Sequence, residues 1–263
     1  MSIASQTTDC LRMERPEPGI AVLTQCRADG PNVISTEFCE SLLRRCESLA
    51  GDGSLRAVVL RAEGPAFCVG ADVGSLRAHL DDLPRHVAAL IDVAHAAVLA
   101  MRRLPVPVIG SVATVAAGGG FGLALACDRV IAARSARFVV AYAQLGTTPD
   151  TGVTHSLSAV LGPRRALELA LSRSPLNADD AARLGLVSEV VDDGALDDAA
   201  LAAARHWASL PRAAVVGAKA LFASDDIGAM ERQMQREKAS FLHCAATSEF
   251  RARVVAFLER TPR

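Results

Sequence analysis

Aromatic residues are scarce in this chain. They make up 4% of its 263 residues, with one Trp and one Tyr, so a core has to be packed mainly from Leu, Val and Ala. An imbalance of charge is also missing: 28 Lys and Arg stand against 29 Asp and Glu, for a formal net charge of −1. No global field therefore favours nucleic acid or an anionic membrane surface, and neither is expected as a partner. A negatively charged small ligand would need local cations instead. The seven cysteines (Cys10, Cys26, Cys39, Cys46, Cys68, Cys127 and Cys244) are odd in number and contain no C-x-x-C pair. Reduced thiols in the cytoplasm are expected, rather than a disulfide framework or a zinc site. No apolar run of roughly 18 residues occurs; the stretch 106–126 is interrupted by Pro107, Gly110, Gly118, Gly119, Gly120 and Gly122. The opening MSIASQTTDCLRMERPEP has no apolar core of a signal peptide. The six histidines show no H-x-x-x-H spacing, so no metal is expected.

What is present is ample apolar material, 51% of the chain, enough for one large domain or a domain with an appendage. Short apolar runs alternate with segments of helical period. Strands are expected at 20–24, 57–61, 106–112, 129–133, 138–140 and 186–191. Helices are expected at 36–50, where Leu42, Leu43, Cys46 and Leu49 recur at helical spacing, and at 84–104, 118–127, 155–161 and 164–171. Pro105 and Pro107 close the second of these. Asn177 or Asp179 can cap a further helix through Leu184. Strands alternating with helices imply an α/β chain with parallel pairing and crossover helices. From 196 to 263 the pattern is helical throughout. The expected division is thus a core of 1–195 and a C-terminal helical region of 196–263. No internal sequence repeat is evident.

Two segments can carry chemistry. Residues 65–72, PAFCVGAD, follow the strand AVVLR, and their small residues let backbone approach a ligand. Residues 116–127, AAGGGFGLALAC, follow VPVIGSV and open a helix on three glycines, leaving N–H groups at its positive end. Such a site suits a phosphate or a developing oxyanion. Neither G-x-G-x-x-G nor G-K-[ST] is matched, so nucleotide fingerprints are missing. Taken alone, the glycine run serves equally well as a tight helix–sheet contact.

The combination is more specific. PAFCVGADV, AAGGGFGLALACD, LGTTPDTG and AARLGLVSEVV together resemble the crotonase (enoyl-CoA hydratase/isomerase) family over nearly the whole chain. The resemblance implies a spiral of ββα units with a C-terminal helical trimerisation region, assembled as a homotrimer or a dimer of trimers. It implies an acyl-CoA thioester substrate and no separate cofactor, coenzyme A being part of the substrate. The family's two oxyanion-hole amides fall on Ala71 and Gly119. Val69, Asp72, Val73 and Gly118 fall on neighbouring positions that line the ligand, and Phe257 and Arg260 fall in the C-terminal helix that touches CoA. Two amides facing one thioester oxygen can each supply roughly 3–4 kcal/mol to an enolate.

The chain also departs from the family's pattern. The two glutamates of the hydratases fall on Gly122 and Tyr142, so ordinary hydration is not expected. One acid remains nearby, Asp150 in TTPDTGVT. The branches of the family with Asp here resemble phenylacetyl-CoA epoxide isomerases and 4-chlorobenzoyl-CoA dehalogenases. In the first reading Asp150 shuttles a proton in a double-bond isomerase. In the second it is a nucleophile in dehalogenation or hydrolysis of an aryl-CoA, with His95 as base and Tyr142 where that branch has Trp. Hydration by an unconventional route and a non-catalytic acyl-CoA-binding protein stay open. By residue chemistry alone, Asp150 is equally a turn or N-cap residue, and His95 a packed histidine of an alanine-rich helix.

Overall fold

In this computed structural model, residues 10–172 and 174–260 are described, the side chains of 224, 225, 258 and 260 excepted. Among these residues, ten strands form two sheets. They are β1 (Leu11–Glu17), β2 (Ile20–Gln25), β3 (Ala57–Ala62), β4 (Ala66–Cys68), β5 (Val108–Val112), β6 (Val115–Ala117), β7 (Arg129–Ala133), β8 (Arg137–Val139), β9 (Leu176–Asn177) and β10 (Glu189–Val191). The larger sheet runs β1-β2-β3-β5-β7-β10 and the smaller β4-β6-β8-β9. The sequence expectation of parallel pairing holds through both sheets except at β1–β2 and β8–β9, which are antiparallel.

The order of strands explains the architecture. In β3–β4, β5–β6 and β7–β8 the first strand joins the large sheet and the second joins the small one. Each pair is followed by helix: α2 (Val73–Ala78) and α3 (Leu83–Arg102), α4 (Gly119–Leu125), and α5 (Tyr142–Leu145). The ββα spiral is therefore present, three times over, although no repeat is visible in the residues. Each turn of the spiral brings a strand-to-helix connection to the same side, and two of these connections carry the glycine-rich segments.

Both faces of the large sheet are covered, which is why its central strands read as unbroken apolar runs. Ala21, Leu23, Val58 and Leu60 face the main core. Their alternates Ile20, Val22, Ala57 and Val59 face the opposite way, against Leu196, Ala200 and Ala204 of α8 (Leu196–Ser209). The C-terminal region thus begins as a layer on the sheet rather than as a detached appendage. α9 (Arg212–Ala245) packs on α3, and α10 (Ser248–Arg260) on α2 and α5.

Local chemistry accounts for the individual elements. α1 (Thr36–Ala50) starts where the Ser35 side chain accepts from Phe38 N, and it buries Phe38, Leu42, Cys46 and Leu49 on one stripe. α3 is long and apolar enough by composition to cross a bilayer, but ten of its residues are buried in the core. α6 (Val153–Leu171) is broken at Gly162, next to Pro163, matching the expectation of two helices at 155–161 and 164–171. Asn177 caps α7 (Ala178–Arg183) by accepting from Asp180 N at 2.7 Å.

Candidate active site

The loop after β4 and the turn after β6 lie against each other. A Cβ on Gly120 would sit 2.1 Å from the Cys68 carbonyl oxygen, so only glycine admits this approach. Gly118 precedes α4 at φ 53, ψ −125, a conformation that L side chains disfavour. Together the two glycines set Gly119 N beside the 69–71 loop.

The second half of the site comes from pairing. Ile34 and Ala71 form an isolated parallel bridge, with Ile34 N donating to Gly70 O at 2.8 Å and Asp72 N to Ile34 O at 3.4 Å. That pattern uses the groups on either side of Ala71 and turns its own N–H the other way. Among the described residues, neither Ala71 N–H nor Gly119 N–H has a protein acceptor. Both residues line a cavity of about 400 Å³.

The cavity also gathers Val69, Val73, Gly118, Tyr142, Asp150 and Phe257. Its wall is otherwise largely apolar, with Leu76, Leu90, Ile91 and Phe241 contributing. Arg253 supplies a cation at the wall, bonded to Glu249 and to the Gln144 carbonyl. Asp72 lies just outside: it caps α2 through Ser75 N at 3.2 Å and pairs with Arg27 at 3.1 Å. The side chain of Arg260 lies outside the described residues.

Asp150 is the only carboxylate among the described residues of the cavity wall. Tyr142 Oη donates to its Oδ1 at 2.6 Å, and Thr151 Oγ1 donates to the same oxygen at 2.7 Å. Oδ2 has no partner among the described residues. Burial, then the charge and hydrogen bond of Asp150, hold the Tyr142 phenol well above its ordinary range, so it stays a donor. Ala141, directly before Tyr142, and Thr151, directly after Asp150, are the two described non-glycine residues at positive φ, 58 and 60. A β-branched residue in that region costs about 1–3 kcal/mol, and such strain concentrates at functional sites.

His95 is not in the cavity wall. It is 3% exposed, and among the described residues neither ring nitrogen has a hydrogen-bond partner. Desolvation lowers its pKa from the ordinary value, which keeps the ring neutral. Burial pushes the thiols of Cys68 and Cys127 up to about 12, so both behave as small apolar groups. Among the described residues, no cluster of three His, Cys, Asp or Glu can hold a metal ion.

At Gly122, a Cβ would meet Thr151 O at 2.8 Å, Thr151 Cβ at 3.0 Å and Val153 Cγ2 at 3.0 Å. The position has no space for a side chain. Sequence reasoning missed Thr151 and Glu237. Thr151 gives a signal only once Asp150 is singled out beside it. Glu237 sits in the polar run ERQMQREK, which reads as a solvated helix face, yet it is 3% exposed.

Comparison with known proteins fits this geometry. The family model for enoyl-CoA hydratase/isomerase matches residues 15–263. The chain is similar to a 1,2-epoxyphenylacetyl-CoA isomerase of Escherichia coli (strain K12), 34% identical over 251 residues, covering 94% of this chain and 95% of that protein. It is similar to a probable enoyl-CoA hydratase of Rhodobacter capsulatus, 34% identical over 244 residues and covering 93% of each. Its fold is similar to the crystal structure of an enoyl-CoA hydratase from Bacillus halodurans, with a TM-score of 0.88 at 22% identity, covering 94% of this chain and 99% of that one.

Proposed function

Since the chain belongs to the enoyl-CoA hydratase/isomerase family of the crotonase superfamily, we propose that it moves a double bond within an acyl-CoA thioester. Ala71 N–H and Gly119 N–H hold the thioester oxygen as negative charge develops on it. Oδ2 of Asp150 removes a proton from the α-carbon of a 3-enoyl thioester, which leaves a dienolate, and delivers a proton to its γ-carbon, so that the double bond moves next to the thioester and the carboxylate is regenerated. No water is consumed, so a single acid–base group suffices.

The observation that carries this reading is the lone carboxylate, held at one oxygen and open at the other, beside two unpaired amides. The cramped Gly122 supports it, since the position that holds a glutamate in hydratases has no room for one. Tyr142 occupies the other such position and donates to Asp150 instead. The aryl-CoA reading, with Asp150 as nucleophile, draws less support, because its base, His95, stands outside the cavity wall, buried and without a hydrogen-bond partner among the described residues. We extend the proposal to assembly as a homotrimer or dimer of trimers, for which Leu210 and Phe222, both exposed, offer apolar surface.

The test is a paired assay on 3-enoyl-CoA and 2-enoyl-CoA of one chain length. Isomerisation should exceed hydration in kcat/KM by at least about 100-fold, the contribution of a missing acid–base group. Hydration equal to or faster than isomerisation would overturn the reading. A second expectation concerns Tyr142. Its bond to a charged acceptor makes Tyr142→Phe lower kcat by about 10- to 100-fold with KM nearly constant, as steady-state kinetics would show.

A further inference from the structure

One stripe of α9 faces the residues that follow Asp150. Met230, Gln233 and Glu237 recur at helical spacing along it. Met230 is 1% exposed and fills the space where a side chain on Gly152 would be. Gln233 Nε2 donates to Thr154 Oγ1 at 2.9 Å. The Glu237 carboxylate accepts from Gly152 N and from Thr154 N, each at 2.8 Å, and from the Thr154 hydroxyl.

Those amides belong to the beginning of α6. Its N-cap is Gly152, which has no side chain to bond the first turn, and that turn contains no acidic residue. A helix start normally obtains its acceptor from its own cap. Here the acceptor comes from a different helix, more than eighty residues away in the chain. The adjoining Thr151 is held at φ 60, a conformation its own β-branched side chain opposes. Something outside the loop must hold it, and Glu237 bonds the backbone on its C-terminal side.

We propose that Glu237 is a positioning residue for proton transfer: its carboxylate clamps the start of α6 from α9 and so keeps Thr151 in its left-handed turn, with Asp150 Oδ1 engaged and Oδ2 open to the cavity. This inference rests on Asp150 being the acid–base group. Glu237 does not line the cavity; it acts through backbone.

The clamp is pH-sensitive. Burial pushes the Glu237 carboxyl up to about 7, against the pull of the three donors. The titratable groups that act on it electrostatically are Asp150 and Tyr142 at the site, while its chain neighbour Lys238 is paired with Asp92 of α3 and His155 of α6 with Asp226. Of these, Asp150 adds to the upward push. A protonated carboxyl can no longer accept with both oxygens equally, so the grip weakens as pH falls through about 7. The linkage to stability has the opposite sign. A carboxyl raised from 4.5 to about 7 favours the fold fully below pH 4.5, and that contribution is lost as pH rises through about 7. Ionised Glu237 therefore serves position at some cost in stability, a pattern met at functional sites.

The experiment compares wild type, Glu237→Gln and Thr154→Val by steady-state kinetics from about pH 5.5 to 8.5, and by amide hydrogen exchange of the segment 150–156. Glu237→Gln should lower kcat about tenfold or more with KM within about twofold, as expected for a lost charge-assisted bond. The wild-type rise in kcat through neutral pH should vanish in this variant, and the amides of 152 and 154 should exchange faster. The melting temperature of Glu237→Gln relative to wild type should improve from pH 5 to pH 8. Thr154→Val, which keeps the carboxylate but removes one donor, should shift kcat in the same direction by a smaller factor, and it serves if Glu237→Gln does not fold. Unchanged kcat and unchanged exchange in both variants would overturn the proposal. So would a loss of kcat that retains the neutral-pH rise. The amide-exchange arm does not depend on the chemistry. Faster exchange in Glu237→Gln alongside full activity of Asp150→Asn would therefore refute the Asp150 reading and leave the clamp standing.

Discussion

Asp150→Asn should lower kcat for 3-enoyl-CoA isomerisation by about 10²- to 10⁴-fold, the range for loss of a general acid–base group, with KM little changed. The substitution is nearly isosteric. Its amide oxygen can still accept from Tyr142 Oη and Thr151 Oγ1, which bond Oδ1 at 2.6 and 2.7 Å in the native site. Those two hydroxyls orient the amide, so its NH2 group points where Oδ2 stood. An NH2 group cannot take a proton from carbon, and the dienolate would have no shuttle. The oxyanion amides are untouched, so binding survives. A loss confined to kcat therefore separates proton transfer from positioning of the thioester. A circular dichroism spectrum and melting temperature matching wild type would exclude a folding defect.

The second large effect is expected at Gly122. Installing an acid there, Gly122→Glu, is the obvious attempt to create a hydratase. It should instead cost about 1–3 kcal/mol in stability, the typical penalty of overpacking, and abolish most isomerisation. The Cβ would stand 2.8 Å from the backbone oxygen of Thr151 and 3.0 Å from Val153 Cγ2. A backbone oxygen cannot swing aside as a side chain can. The relief is a shift of Thr151 and, with it, Asp150. Thermal melts should show the loss of stability, and a hydration assay on 2-enoyl-CoA should show no gain. A variant that folds normally and hydrates would contradict the packing argument. For Tyr142 the logic is reversed: the residue is large, buried and bonded to Asp150, so it has been recruited into the remaining acid's environment.

Much of the fold was readable from local pattern. The helix at 36–50 coincides with α1 because Ser35 caps it and four apolar residues keep a helical period. The run beginning at Ala57 is a strand buried on both faces, and unbroken apolarity is what such a strand shows. The smaller sheet was mostly invisible. β4 and β6 have three residues each, too short for any period to register. β1 was missed for another reason: it is an edge strand carrying Pro16 and charged residues, features that disguise a strand while protecting an edge. The repeat of ββα units exists in topology alone, because each unit needs only apolar positions and a turn, which many sequences satisfy.

At the site, Ala71 and Gly119 were reached through family resemblance, and the structure gives a physical account: a bridge at Ile34 and a crowded glycine run present their amides to one cavity. The contact between Tyr142 and Asp150 had no sequence signal. It depends on left-handed residues at 141 and 151, neither of them the glycine or asparagine that marks such a turn. Glu237 was hidden by its neighbours, since one buried acid in a charged helix looks like the rest. His95, given as a base only by the dehalogenase-like resemblance and as a packed histidine by its alanine-rich helix, lies buried outside the cavity wall.

The most direct measurement of the central claim is solvent deuterium exchange into an enoyl-CoA, run in heavy water and followed by mass spectrometry and NMR. Wild type should wash deuterium into the α- and γ-carbons of the acyl group, and Asp150→Asn should fall to the uncatalysed background while still binding the thioester. Exchange that persists undiminished in Asp150→Asn, or a wild type that binds the thioester and neither exchanges nor isomerises it, would contradict enolate chemistry driven by Asp150.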